Sequence, residues 1–202
     1  MKGVTQYKLP KGAKRMKKVK LVSSNENKLT EFRRFGLPDI EIEKGKDLKE
    51  VNADPQTVIL YKALEAGTHC MVEDTSLHIE GEEVGVNIRW LLDNLPAFNG
   101  RKAVWQVLLG YNNGVEIEIY EGFVSGRITD RFAENPQGFG FDCYFIPVGI
   151  DPDQTLTLFE LEQIGLKDTH SARKHAVRQF LANKAEVKKD IQSISIWEGK
   201  YQ

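Results

Sequence analysis

Apolar positions along this chain switch repeatedly between a period near two and a period near 3.6 residues, the mark of interleaved strands and helices. VKLVS at 19–23 is a β-branched run that predicts a strand. In the SNENKLTEFRRF that follows, Leu29, Phe32 and Phe35 recur at helical spacing and Ser24 or Asn25 can cap, so strand, tight turn and helix succeed one another. IEIE at 40–43 predicts a second short strand. NADPQTVILYKALEAG carries helix punctuation at both ends: Asp54 as cap, Pro55 at the first helical position and Gly67 past the last. CMVE and SLHIE predict two strands, the first ending in the adjacent acids Glu73 and Asp74. VNIRWLLDNL and RKAVWQVLLG predict helices, the second amphipathic through Val104, Val107 and Leu108. VEIEIYEGFVSGRI alternates as the two arms of a hairpin bent near Gly122, QGFGFDCYFIPVG is a glycine-rich loop entering an apolar strand, and SARKHAVRQFLANK closes as an amphipathic helix. The fold class is therefore α/β with a mixed sheet. The tail 185–202, with Ile194, Ile196 and Trp197, is expected to pack on the same chain.

Composition narrows the class without changing it. The 202 residues suit one large domain, or two lobes around a shared core. No apolar run is long enough to span a bilayer and the charged start is unlike a signal peptide, so a soluble cytoplasmic chain is expected. Cys70 and Cys143 lie far apart and in no CxxC pattern, which gives no support to a zinc site and points to free thiols. The net charge of −1 is unevenly spread: residues 1–20 hold eight Lys or Arg and no acid, and the remainder holds 20 bases against 29 acids. Residues 1–18 are read as a basic flexible arm and 19–202 as a single domain. The acidic remainder argues against an extended nucleic-acid footprint.

Five places could carry chemistry, the first four each with a plain structural alternative. In SSNENK a strand runs into a capped helix with Lys28 in its first turn, where N–H groups, the helix dipole and a cation converge on phosphate; an ordinary cap with a surface lysine looks the same. Lys62 falls at the margin of an apolar helix stripe, where a lysine either snorkels to water or reaches a cleft as a phosphate ligand. Glu73 and Asp74 end an apolar strand and point opposite ways, so one could hold a hard cation such as Mg²⁺ while the other takes a proton from water; a solvated turn explains them equally well locally. In GFGFD, Phe139 and Phe141 project beside Asp142 and suit stacking on a flat heterocycle, or else plug the following strand. Arg173 heads the buried stripe of the last helix, where a planar bidentate donor could read a ring carbonyl or a carboxylate.

In this order, SSNENKLTEF, VEDTSL, VNIRWLL, EGFVSGRI, GFGFDCYFIP and KDTHSAR resemble the inosine triphosphate pyrophosphatase family, over roughly residues 19–182. The resemblance implies an elongated two-lobed α/β fold, usually dimeric, with flanking helices and an active-site cleft between lobes. It implies Mg²⁺-dependent cleavage of non-canonical purine nucleoside triphosphates such as ITP, dITP and XTP to the monophosphate and pyrophosphate. By position it gives phosphate contacts to Ser23, Asn25, Lys28, Lys62 and Arg89, the metal to Glu50, Glu73 and Asp74, and catalysis to Asp74 as base with Lys28. Phe139, Phe141, Asp142, Lys167, Ser171 and Arg173 would meet the base. One departure stands out: the family's Ser-His-Arg is Ser171, Ala172, Arg173 here, so the imidazole that helps recognise the purine carbonyl is absent, and His170 and His175 lie in other directions on the helix. Two readings stay open beside the leading one: the same reaction on a different base, and nucleotide binding without efficient turnover.

Overall fold

The computed structural model describes residues 18–44, 48–82, 92–149 and 155–202. Residues 1–17 of the basic arm, Arg89 and most of VNIRWLLDNL lie outside them. In chain order the elements are β1 (Lys20–Val22), α1 (Glu26–Arg34), β2 (Glu41–Glu43), α2 (Pro55–Ala66), β3 (Cys70–Ile79), β4 (Lys102–Asn112), β5 (Glu116–Ile128), β6 (Phe145–Pro147), α3 (Leu158–Gln163), α4 (Ala172–Leu181) and β7 (Val187–Asp190). Short 3₁₀ turns occupy Leu95–Phe98, Lys167–His170 and Ile191–Ser193.

The seven strands form one mixed sheet in the order β2-β1-β3-β4-β5-β6, with β7 pairing β5. The β1 strand is parallel to both β2 and β3; every later pairing is antiparallel. Side-chain alternation gives the sheet two apolar faces. Met71, Leu77, Trp105, Val107 and Leu109 face α1 and α4 in the larger core. Cys70, Val72, Leu108, Ile117 and Ile119 face α2 and the C-terminal tail in a smaller one. Caps hold the helices as their sequences suggest: the Asn25 side chain accepts from Asn27 N–H, and Asp54 accepts from Thr57 N–H with Pro55 opening α2 and Gly67 closing it at φ 92°.

The β region departs from the sequence expectations in three places. RKAVWQVLLG is the central strand β4, not a helix: buried on both faces, it shows a continuous apolar run whose spacing fits either period. VEIEIYEGFVSGRI is one unbroken 13-residue strand rather than a hairpin. Gly122 is there for close approach, because a Cβ on it would lie 2.0 Å from the Ala172 carbonyl oxygen and 2.4 Å from the Ala176 nitrogen. CMVE and SLHIE are a single strand, so Glu73 and Asp74 sit within β3 instead of at its end. The strand that ends is β1: it pairs with β3 only as far as Leu21 opposite Met71, and β3 runs on past the turn that enters α1. The acids therefore still lie beyond the carboxyl end of a parallel strand, but a neighbour's.

Gly122→Ala should destabilise the fold by about 3 kcal/mol, because the added methyl would run into the α4 backbone at Ala172 and Ala176. A denaturant midpoint compared with the parent's checks this; an unchanged midpoint would mean that α4 does not rest on β5 there.

Candidate active site

Adjacent positions on β3 send Glu73 and Asp74 to opposite faces of the sheet, and their surroundings differ accordingly. The Glu73 side chain, only 1% exposed, turns toward α1 and α4. Its Oε1 accepts from Thr75 Oγ1 at 2.6 Å and from Arg173 Nη2 at 3.1 Å, and its Oε2 pairs with Lys28. Arg173 pairs in turn with Glu31 of α1. Burial alone would raise the Glu73 pKa; Arg173 and Lys28 outweigh it and bring it down to about 2. Glu73 is thus a fixed anion that holds two cations at the N-terminal ends of α1 and α4.

Asp74 turns the other way, toward α2. Its Oδ1 accepts from Thr75 N–H at 3.1 Å and lies 4.0 Å from Lys62 Nζ, which donates to Glu50 Oε1 at 2.8 Å. Burial pushes the Asp74 pKa up, Lys62 pulls against that, and Glu73 and Glu50 add to the rise. Lys62 is kept charged: burial alone would lower its pKa, but Asp74 and Glu50 raise it. The two neighbours are thereby driven in opposite directions, the pattern by which paired carboxyls divide a fixed charge from a proton acceptor.

The α1 N-terminus closes one side of this region. Ser23 Oγ accepts from Asn25 N–H at 3.1 Å, and Asn25 Oδ1 accepts from Asn27 N–H at 3.0 Å, fixing the turn that delivers Lys28. Alongside lies an open cleft of about 270 Å³, lined among others by Asn25, Lys28, Glu31, Arg34, Phe139, Glu162, Lys167 and Arg173. Four of these side chains are cations and two are acids, a balance that suits an anion.

The far end of the cleft is built by the glycine-rich loop. Gly138 and Gly140 take φ of 81° and 58°, which turns Phe139 and Phe141 apart. Phe139 is 60% exposed on the cleft, whereas Phe141 is buried edge-on against Trp105 at 5.7 Å. Asp142 is buried as well and accepts from Lys167 Nζ at 2.6 Å; Glu162 accepts from the same ammonium at 3.0 Å. Burial lifts the Asp142 pKa while Lys167 works against it. Ser171 is the cap of α4, accepting from Lys174 N–H at 3.2 Å. Ala172 is fully buried, and His175 Nδ1 lies 3.1 Å from the Phe123 carbonyl oxygen, so its ring is engaged with β5. Sequence reasoning missed Glu31, Arg34 and Glu162. The signal for the first two was present: Lys28, Glu31 and Arg34 recur every three residues along one side of α1.

Among the described residues no three His, Cys, Asp or Glu side chains group as a metal site. The donors nonetheless fit a hard cation that arrives with phosphate: Glu50 and Asp74 already converge on one positive charge, the Lys62 ammonium. Mg²⁺ commonly takes one or two carboxylates and completes its shell with substrate phosphates and waters.

An α/β sheet whose short parallel strand opens onto a capped helix, cations and an acid pair, one member buried and the other half-buried, defines a phosphate-handling protein. The chain belongs to the Ham1 family, which matches residues 19–183. It is 29% identical to an inosine triphosphate pyrophosphatase of Pyricularia oryzae, over 64% of this chain and 77% of that one. It is 25% identical to a dITP/XTP pyrophosphatase of Saccharolobus solfataricus, over 81% and 91%, and 30% identical to an inosine triphosphate pyrophosphatase of Fusarium vanettenii, over 63% and 78%.

The charge on Glu73 sets a stability window. Folded, it binds its proton near pH 2 instead of 4.5, so its contribution is complete above pH 4.5 and is lost as pH falls through about 2. The expected loss is about 3 kcal/mol between those limits, and Glu73→Gln should flatten that part of the profile. Urea titrations across the window check it; a wild-type curve parallel to the variant's would rule out the charged pairing.

Proposed function

We infer that this chain hydrolyses non-canonical purine nucleoside triphosphates of the ITP, dITP and XTP class to the monophosphate and pyrophosphate. The observation that carries the reading is the opposed environment of Glu73 and Asp74, set beyond the end of β1 beside a helix N-terminus and four lysine or arginine side chains. The names of the family relatives supply the substrate class.

In this reading the triphosphate lies across the end of β1. Ser23, Asn25 and Lys28 meet it from the turn into α1 and Lys62 from α2; Arg89, outside the described residues, is assigned to the same task. Glu50 and Asp74 would hold Mg²⁺, which would supply positive charge to the phosphate oxygens. Glu73, whose oxygens are already engaged, acts on the ion only through the charge it places beside Asp74. Asp74 accepts the proton of a water whose oxygen attacks the α-phosphorus; the bond to the bridging oxygen breaks and pyrophosphate leaves with that oxygen. Lys28 stabilises the charge that grows on the phosphorus oxygens. At the other end Phe139 stacks on the base, and Lys167 and Arg173 present donors to its edge. Asp142 steers Lys167, Ser171 fixes the start of α4, and Phe141 supports the loop from the core. A homodimer in the cytoplasm belongs to the same reading, carried by the family resemblance; no helix of the described residues is long and apolar enough to cross a membrane.

A panel of inosine, xanthosine, guanosine, adenosine and pyrimidine triphosphates with Mg²⁺ tests this by pyrophosphate release. Inosine and xanthosine are expected to lead. Asp74→Asn should retain nucleotide binding and lose at least about 100-fold in kcat; full activity would remove Asp74 as the base. Because the base works deprotonated, the rate should fall as pH drops through an Asp74 pKa that lies above the ordinary 3.8. Binding of all these nucleotides without turnover would replace hydrolysis with a binding role.

A further inference from the structure

The family match ends at residue 183, yet the chain beyond it reaches the acid site from behind. After β7 pairs with the first residues of β5, the tail crosses under α2. Ile194 packs into the smaller core, the Ser195 carbonyl accepts from Tyr61 Oη at 2.9 Å, and the Trp197 ring meets Tyr61 edge-on at 5.3 Å. Trp197 Nε1 donates to the Lys200 carbonyl at 3.0 Å, bending the tail back. Its last residues then pair with the segment that carries Glu50. Tyr201 bridges Val51, Asn52 N–H donates to the Lys200 carbonyl at 2.9 Å, and Gln202 N–H donates to the Glu50 carbonyl at 2.8 Å. Gln202 Nε2 adds a bond to the Val51 carbonyl at 3.1 Å.

These contacts fix the backbone on which Glu50 stands. Apart from the Val51 bridge, residues 48–52 belong to no strand or helix. The Glu50 carboxylate nevertheless meets Lys62 at 2.8 Å, and Lys62 sits on α2 next to Tyr61, which the same tail grips. One piece of chain therefore holds both the carboxylate and the lysine that share the Asp74 corner. We propose that residues 194–202 are a positioning strap for Glu50 and Lys62, acting through Gln202 and Trp197 and setting how well the site takes a divalent cation together with phosphate. Binding sites of this kind lose affinity when an outer partner that orients a ligand is removed, commonly by 10- to 100-fold for metals.

The proposal rests on the nucleotide reading for what is bound, and its test does not need turnover. Gln202→Pro deletes the backbone donor to Glu50 together with the side-chain amide; Trp197→Ala releases the grip on Tyr61 and serves if the first variant folds poorly. Ile196→Ser, at a side chain 88% exposed, is the control. Hydrogen exchange of residues 48–54 is followed on the free proteins. Affinity for an α,β-methylene analogue of inosine triphosphate is then measured by calorimetry with Mg²⁺ and with EDTA. The expected result is faster exchange in 48–54 and a loss of about tenfold in the affinity gained from Mg²⁺, on top of a smaller loss with EDTA where only the Lys62 contact is disturbed. Exchange equal to the control's, or an unchanged gain from Mg²⁺, overturns the strap as a positioning device. Failure of the unmodified protein to split any nucleotide would count against the hydrolase reading alone.

Discussion

A single buried negative charge organises this molecule. Glu73 stands in the central region of the sheet with almost no access to water, and an ionised carboxylate there is tolerable only while cations and hydroxyls satisfy both its oxygens. Lys28, Arg173 and Thr75 do so, and each contact makes a demand on the fold. Lys28 must come from the first turn of α1, so the Ser23–Asn25 turn has to be tight and capped. Arg173 must come from the first turn of α4, so that helix has to settle on β5 closely enough to exclude any side chain at position 122. The large apolar core fills in around these approaches.

The alternation of a strand converts this constraint into a division of labour. Residues one apart on β3 are exposed to different electrostatic fields although their carbon atoms are neighbours. On the α1 and α4 side, cations outnumber acids and hold Glu73 charged; on the α2 side, Glu50 competes for the same lysine and Asp74 keeps an appetite for protons. Lys28 bears on both carboxylates, which makes it the link between the two halves. The short β1 strand gives that link its access: by ending where β3 continues, it leaves backbone donors and the acid pair side by side.

What the sequence disclosed was local. Asp54, Pro55 and Gly67 mark the limits of α2 by their own conformational preferences, and the period of Leu29 and Phe32 places α1. The β4 strand was illegible because a strand buried on both faces has no polar side to reveal its period. Gly122 suggested a bend because glycine is common at turns, whereas its reason is a helix fifty residues later that presses on it. The acid pair could be recognised as chemistry, but whether each oxygen faces Lys62 or Arg173 depends on pairings made across the sheet. Phe139 and Phe141 look equivalent in GFGFD; only the turns at the flanking glycines send one to the cleft and the other to Trp105. The tail announced itself by Trp197 and Ile194 as something that packs, with nothing to say against what.

The long separations within the Glu73 cluster also shape how the chain can be made. Arg173 lies 100 residues after the acid it neutralises and 142 after Glu31, so synthesis from the N-terminus produces β1, α1 and β3 well before their cation exists. During that interval the core-facing carboxylate has Lys28 and Thr75 but no guanidinium, and tight closure of the sheet over it is penalised. The half-made domain is held loose by its own acid, and the arrival of α4 turns that resistance into cohesion. Such a chain folds late and as a unit, with its non-local contacts setting the pace.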